Sequence, residues 1–181
     1  MKTRTARLMK LMIEYDRGDN LRIHHLLKVH NLAVTIGQLE GVDQSTMDII
    51  EAAAIVHDIG IHSQEQKNGS AESCLQDTER AAEARMLLKR AGGFSDNEIE
   101  RVAWLTGNSH DHSAIDNIDS QILAEADFLV RINENNISSD TITEIGHTIF
   151  KTKTGRELMD AMYGGSPWSA APQDKRCQSC C

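Results

Sequence analysis

The chain has 181 residues, enough for a single domain with its own apolar core, and its 27 acidic and 19 basic side chains leave a formal net charge of −8. Charge of that sign argues against non-specific nucleic-acid binding, which needs clustered positive side chains. Apolar residues make up 40 %, so the chain is not disordered overall, and no apolar run approaches the roughly 18–20 residues of a membrane span.

Lys2, Arg4, Arg7 and Lys10 are followed by Glu14 and Asp16, where an export signal would be apolar, so none is expected. Of the four cysteines, Cys74 stands alone and Cys177, Cys180 and Cys181 lie in the last five residues. No disulfide framework can staple a core from those positions, and the expected compartment is the reducing cytoplasm. Zinc needs four ligands, and the cysteine cluster has no second pair or histidine nearby, so it reads as part of a flexible tail.

The only prolines are Pro167 and Pro172, and aromatic residues are 4 %. Both facts favour an all-α domain over residues 1–165, followed by a loose tail over 166–181. A first helix is predicted from Thr3 to Tyr15, broken by Gly18-Asp19-Asn20. The second runs from Leu21 to Glu40, with an apolar stripe of Leu21, His25, Val29, Leu32, Ile36 and Leu39. Ser45 is expected to cap a third helix, whose stripe is Met47, Ile50, Ala54 and His57 and which Gly60 stops. A polar loop over 61–74, containing Cys74, leads to a helix from about Leu75 to Ala91. Ser95 and Glu98 form a capping box for the next, which runs to Gly107. A loop rich in His and Asp spans Asn108 to Asn117. Ile118 to about Asn133 is helical, with Leu123, Asp127 and Val130 aligned, and a last helix runs from Ser139 or Asp140 to Met162.

Three polar anomalies sit on or beside these apolar stripes: His25 on the second helix, His57 with Asp58 at the end of the third, and Asp127 on the helix from Ile118. A core carboxylate costs several kcal/mol unless it is paired or bound to a cation. Taken singly, each residue has an ordinary structural reading as a hydrogen-bonded core group. Together, four such groups on three helices can meet at one point, where a divalent metal would satisfy all of them.

The string His57-Asp58-Ile59-Gly60, preceded by Glu51-Ala52-Ala53-Ala54-Ile55-Val56, resembles the signature of the HD superfamily of metal-dependent phosphohydrolases. His25-Val29-Ala33 is similar to the family's first-histidine motif, and Ala126-Asp127-Phe128-Leu129-Val130 to its last-aspartate motif. The resemblance spans roughly residues 23–130. It implies an all-α, HD-domain-like helical bundle, with His25, His57, Asp58 and Asp127 as metal ligands. His24 lies about 100° and His30 about 140° around the helix from His25, so both are expected at solvent or an edge.

Departures from the family pattern narrow the reading. Dinuclear relatives carry extra histidines where this chain has Gln76 and Arg80, which favours one metal per chain; Glu79 is a possible substitute ligand. Neither the lysine of the phosphodiesterase relatives nor the catalytic glutamate of the small nucleotidases is present, for both places fall at Ile61. Gly107-Asn108-Ser109-His110 looks like a thinned form of a His-rich stretch in some small family members. His110 is therefore a candidate general acid, with His112 a weaker one, and His62 and Lys67 have only their position beside the His-Asp pair.

What the resemblance implies is hydrolysis of a small-molecule phosphate ester or nucleotide. The cofactor would be one divalent ion, and a mixed N/O ligand set suits Mn, Fe, Co, Ni or Zn. Asp58 would orient the attacking water and His110 would protonate the leaving group. Three other functions stay open: a di-iron oxygenase of the same family, a nucleotide-binding module without turnover, and a helical interaction protein without metal.

Overall fold

Helices Asn20–Leu39 (α2), Gln44–Val56 (α3) and Ile118–Glu134 (α6) pack on one another and carry the anomalous residues inward. They belong to a computed structural model that describes residues 2–60 and 73–164, and the side chains of all of these except 73–77, 139 and 140. Around the central trio lie Thr3–Tyr15 (α1), Ser73–Ala91 (α4), Asp96–Gly107 (α5), Ser139–Ile149 (α7) and Lys153–Tyr163 (α8), with one 3-10 turn at His112–Ala114. Among the described residues there is no strand, and no helix is long and apolar enough to cross a membrane. The fold is an all-α bundle of the kind the sequence predicts.

Its core follows from the stripes. Leu8 and Met12 of α1, Leu26, Val29, Ala33 and Ile36 of α2, and Leu87 and Leu88 of α4 are fully buried. From Ile50 onward helix α3 is buried on every side, because α1, α2, α5 and α6 all pack on it. Its Ala52-Ala53-Ala54 run has no bulk to hold those neighbours away, which brings α2 and α6 close to the end of α3. The expected capping box on α5 is present, with Ser95 Oγ accepting from Glu98 N and Glu98 accepting from Ser95 N.

Several expectations need correction. The N-cap of α3 is Asp43, which accepts from both Ser45 N and Thr46 N; the carboxylate two residues earlier outcompetes the Ser45 hydroxyl. Leu21 and Leu39 do not join the core: they are 86 % and 70 % exposed, because they sit at the two ends of α2, beyond the reach of its partners. Cys74 lies within α4 rather than in a loop.

The predicted last helix is two helices. Glu125 of α6, fully buried, accepts hydrogen bonds from the backbone N–H groups of Lys151 at 2.6 Å and Thr152 at 2.8 Å, and from the Thr152 hydroxyl. These donors are turned away from any helix running on from α7. Thr152 then caps α8 by accepting from Gly155 N at 2.9 Å, and Phe150 is buried in the corner. Expectations that rest on Ile61, His62, Lys67, the Gln76 side chain and the tail with Cys177, Cys180 and Cys181 lie outside the described residues.

Candidate metal centre

His25 lies in the second turn of α2, where Asp19 caps the helix by accepting from Arg22 N. His57 is the C-cap of α3 and still has helical backbone angles, so its ring continues the buried stripe. Asp58 follows in the turn, and Gly60 ends it at φ +87°, a conformation that strains any residue with a Cβ. Asp127 projects from the middle of α6. All four side chains are buried.

They converge. His25 Nε2 is 3.3 Å from His57 Nε2, 3.2 Å from Asp127 Oδ1 and 3.7 Å from Asp58 Oδ2. His57 Nε2 is 3.5 Å from Asp127 Oδ1 and 3.8 Å from Asp58 Oδ1. One ligand atom from each of His25, His57 and Asp58 lies within 4.8 Å of the others, an arrangement that can hold a metal ion. Atoms sharing an ion at about 2.1 Å, with bond angles near 90–109°, stand roughly 3.0–3.4 Å apart. The measured spacings begin in that range, so the donor set fits a divalent cation with small adjustments.

The outer nitrogens of both rings are committed. His57 Nδ1 is 3.1 Å from the Ala54 carbonyl, and His25 Nδ1 is 2.8 Å from Glu134 Oε2. Each Nδ1 donates to its acceptor, so both Nε2 atoms turn toward the shared centre. Burial pushes the His25 imidazolium down, but the bond to Asp127, then Glu134 and the charge of Asp58, outweigh it and raise its pKa. A proton on His25 Nε2 thus satisfies the neighbouring acceptors, and a metal ion would displace it. Burial raises both carboxyls, yet each is held below the usual carboxylate range. Against burial, His57, a hydrogen bond from His110 and the charge of Arg131 lower Asp58, and His25, His57 and Arg131 lower Asp127. Both are ready to bind as anions.

Sequence reasoning missed two residues of this centre. Arg131 places Nε 2.6 Å from Asp127 Oδ2 and Nη2 3.1 Å from Asp58 Oδ2, bridging the carboxylates. Glu134 fixes the His25 ring and is held in turn by Lys28. Their signal was available: four and seven residues after Asp127, they lie on its face of α6. Carboxylate partners of metal-binding histidines set ring orientation and basicity. Glu134→Ala should therefore weaken metal binding roughly 10–100-fold, read by competition with a chromogenic chelator. Unchanged affinity would remove Glu134 from the centre.

His110 reaches the cluster from the loop after α5. Guanidinium N–H groups face both ring nitrogens: Arg80 Nη1 is 3.0 Å from Nδ1 and Arg131 Nη2 is 3.0 Å from Nε2, while Asp58 Oδ1 lies 2.9 Å from Nε2. Arg80 is buried, and its guanidinium sits against His110. Glu79 is exposed. His112 packs on Phe128, with ring centroids 4.8 Å apart and planes tilted by 49°, and lines a cavity with His57 and Asp127. His24 is exposed, as expected. His30, expected at solvent or an edge, is buried and its Nε2 has no hydrogen-bond partner among the described residues. Helix α2 is covered by α3, α6 and α8, so its buried arc is wider than one stripe.

The cluster opens on a cleft of about 730 Å³ lined by Arg22, His24, His25, Lys28, Asp58 and Arg131, among others. That volume is within the range of small-molecule sites. An HD domain family model matches residues 22–132, which takes in all four converging residues and more than half of the chain. The chain belongs to the HD domain family, whose members are generally metal-dependent phosphohydrolases. No curated protein and no solved structure matches it.

Proposed function

We propose that this HD-domain protein is a cytoplasmic phosphohydrolase acting on a small phosphate ester or nucleotide. In this reading His25, His57, Asp58 and Asp127 hold one divalent ion of the Mn, Fe, Co, Ni or Zn class. The observation that carries it is the meeting of two imidazole Nε2 atoms and two carboxylates from three helices beside an open cleft. An ion of that class supplies a lowered pKa for water and polarisation of a phosphoryl oxygen.

The chain's own residues do the rest. Asp58 is oriented from one side by His110 and from the other by Arg131, so its carboxylate is fixed to align the attacking water. His110 stands beside Asp58, held between the guanidinium groups of Arg80 and Arg131, and is the group that protonates the leaving oxygen. Glu134 keeps the His25 ring in register.

The test starts from chelator-stripped protein. Each divalent metal is restored in turn, and phosphate release is measured across nucleotides and phosphate esters. Release that depends on added metal, with one ion per chain by elemental analysis, is expected. Metal uptake without release from any ester would leave a binding module instead. Two irons per chain after anaerobic loading, with a mixed-valent signal, would replace hydrolysis by oxygenase chemistry.

A further inference from the structure

Arg131 has more hydrogen-bonding capacity than its carboxylate partners use. Nε is committed to Asp127 and Nη2 to Asp58. Nη1 makes no hydrogen bond among the described residues, although the side chain lines the cleft and is 30 % exposed. Two N–H donors of a planar, permanently charged fork are therefore uncommitted beside the centre. The other charges of the cleft are matched in pairs: Arg22 stands 3.5 Å from Asp19, and Lys28 is bonded to Glu134.

We propose that Arg131 is the phosphate-binding residue of this site, taking a non-bridging phosphoryl oxygen on Nη1 while Nε and Nη2 stay on Asp127 and Asp58. The proposal rests on the phosphohydrolase reading, which it extends from the metal ligands to the substrate's anion. Charge balance supports it. Asp58 and Asp127 exceed Arg131 by one negative charge, and a divalent ion turns that excess into one positive charge. The loaded centre then attracts an oxyanion, with Arg131 as the donor on its cleft side. The anchoring matters as much as the charge: a guanidinium pinned at two nitrogens has lost its rotamer freedom before the ligand arrives. Lysine, a point charge on a flexible stem, could not hold both carboxylates and still present a donor in a fixed direction.

Inorganic phosphate is the probe, titrated calorimetrically into the full chain loaded with manganese. Arg131→Gln should weaken phosphate binding roughly ten- to hundredfold, the range for loss of a hydrogen bond to a charged group. Arg131→Lys should recover only part of it. Manganese affinity, titrated separately, should not fall, because a cation competing for the same carboxylates has been removed. Phosphate affinity within twofold of wild type in a manganese-loaded Arg131→Gln protein would overturn the proposal.

A second measurement needs no variant. Phenylglyoxal modification of the wild-type protein is followed residue by residue by mass spectrometry. Phosphate should slow modification of Arg131 and leave Arg85, which is paired with Glu100 on the surface, unaffected. Equal rates at Arg131 with and without phosphate would overturn it as well. Neither readout requires turnover. Failure of every ester to be hydrolysed would count against the hydrolase reading alone, and turnover with unprotected Arg131 against this one alone.

Discussion

Asp58→Ala should lower kcat by roughly a thousandfold or more while the protein stays folded. A bound metal contributes several kcal/mol of charge stabilisation in phosphoryl transfer, and each 1.4 kcal/mol or so is tenfold in rate. Asp58 contributes twice: it is one of the side chains that meet at the centre, and it is the group that His110 and Arg131 hold in place. The fold should tolerate the change because the carboxylate's partners are other site residues. Arg131 keeps Asp127 at 2.6 Å, and the Arg22 contact is to the Asp58 carbonyl, which alanine retains. Removal also relieves the repulsion between Asp58 and Asp127. Circular dichroism should give a helical spectrum and a melting temperature near wild type, while elemental analysis shows lowered metal occupancy. Wild-type turnover at full occupancy in this variant would remove Asp58 from the mechanism.

The converging residues were legible because burial makes polarity conspicuous. His25 and Asp127 stand where the 3.6-residue period demands apolar side chains, and a buried charge has to be matched by something. Arg131 and Glu134 gave a weaker signal, their spacing of four and seven residues from Asp127. Charged residues in the last turns of a helix are ordinary, and only the packing of α2 against α6 makes that edge of α6 the wall of a cleft. His30 was misread for a related reason. Periodicity marks the one face of a helix that meets a core, and α2 meets three neighbours. The chain between α7 and α8 was misread because its break has no local cause. No proline or glycine lies between Phe150 and Thr152; the turn is imposed by Glu125, 26 and 27 residues earlier in the chain.

That corner carries the largest expected effect on stability. Gly155→Ala would be stabilising by about 1 kcal/mol in an exposed helix, because glycine is the poorer helix former. Here the sign reverses. An added Cβ would stand 1.9 Å from Glu125 Oε2 and 2.7 Å from Thr152 Oγ1. Glu125 cannot swing aside without abandoning the N–H groups of Lys151 and Thr152 and the Gln121 side-chain amide, all of which it holds at 2.6–2.8 Å. Overpacking a tight core costs about 1–3 kcal/mol, and each buried donor left unpaired a similar amount. The loss should exceed about 3 kcal/mol, which for a chain of this size lowers the melting temperature by roughly 6–12 °C. Glu125→Ala alone should also destabilise, since it orphans the same N–H groups. Combined with Gly155→Ala it removes the clash, so the double variant should lose clearly less than the sum of the two. A Gly155→Ala protein that melts at or above the wild-type temperature would mean that Glu125 does not hold this corner. Additive losses would mean that the two residues do not meet there.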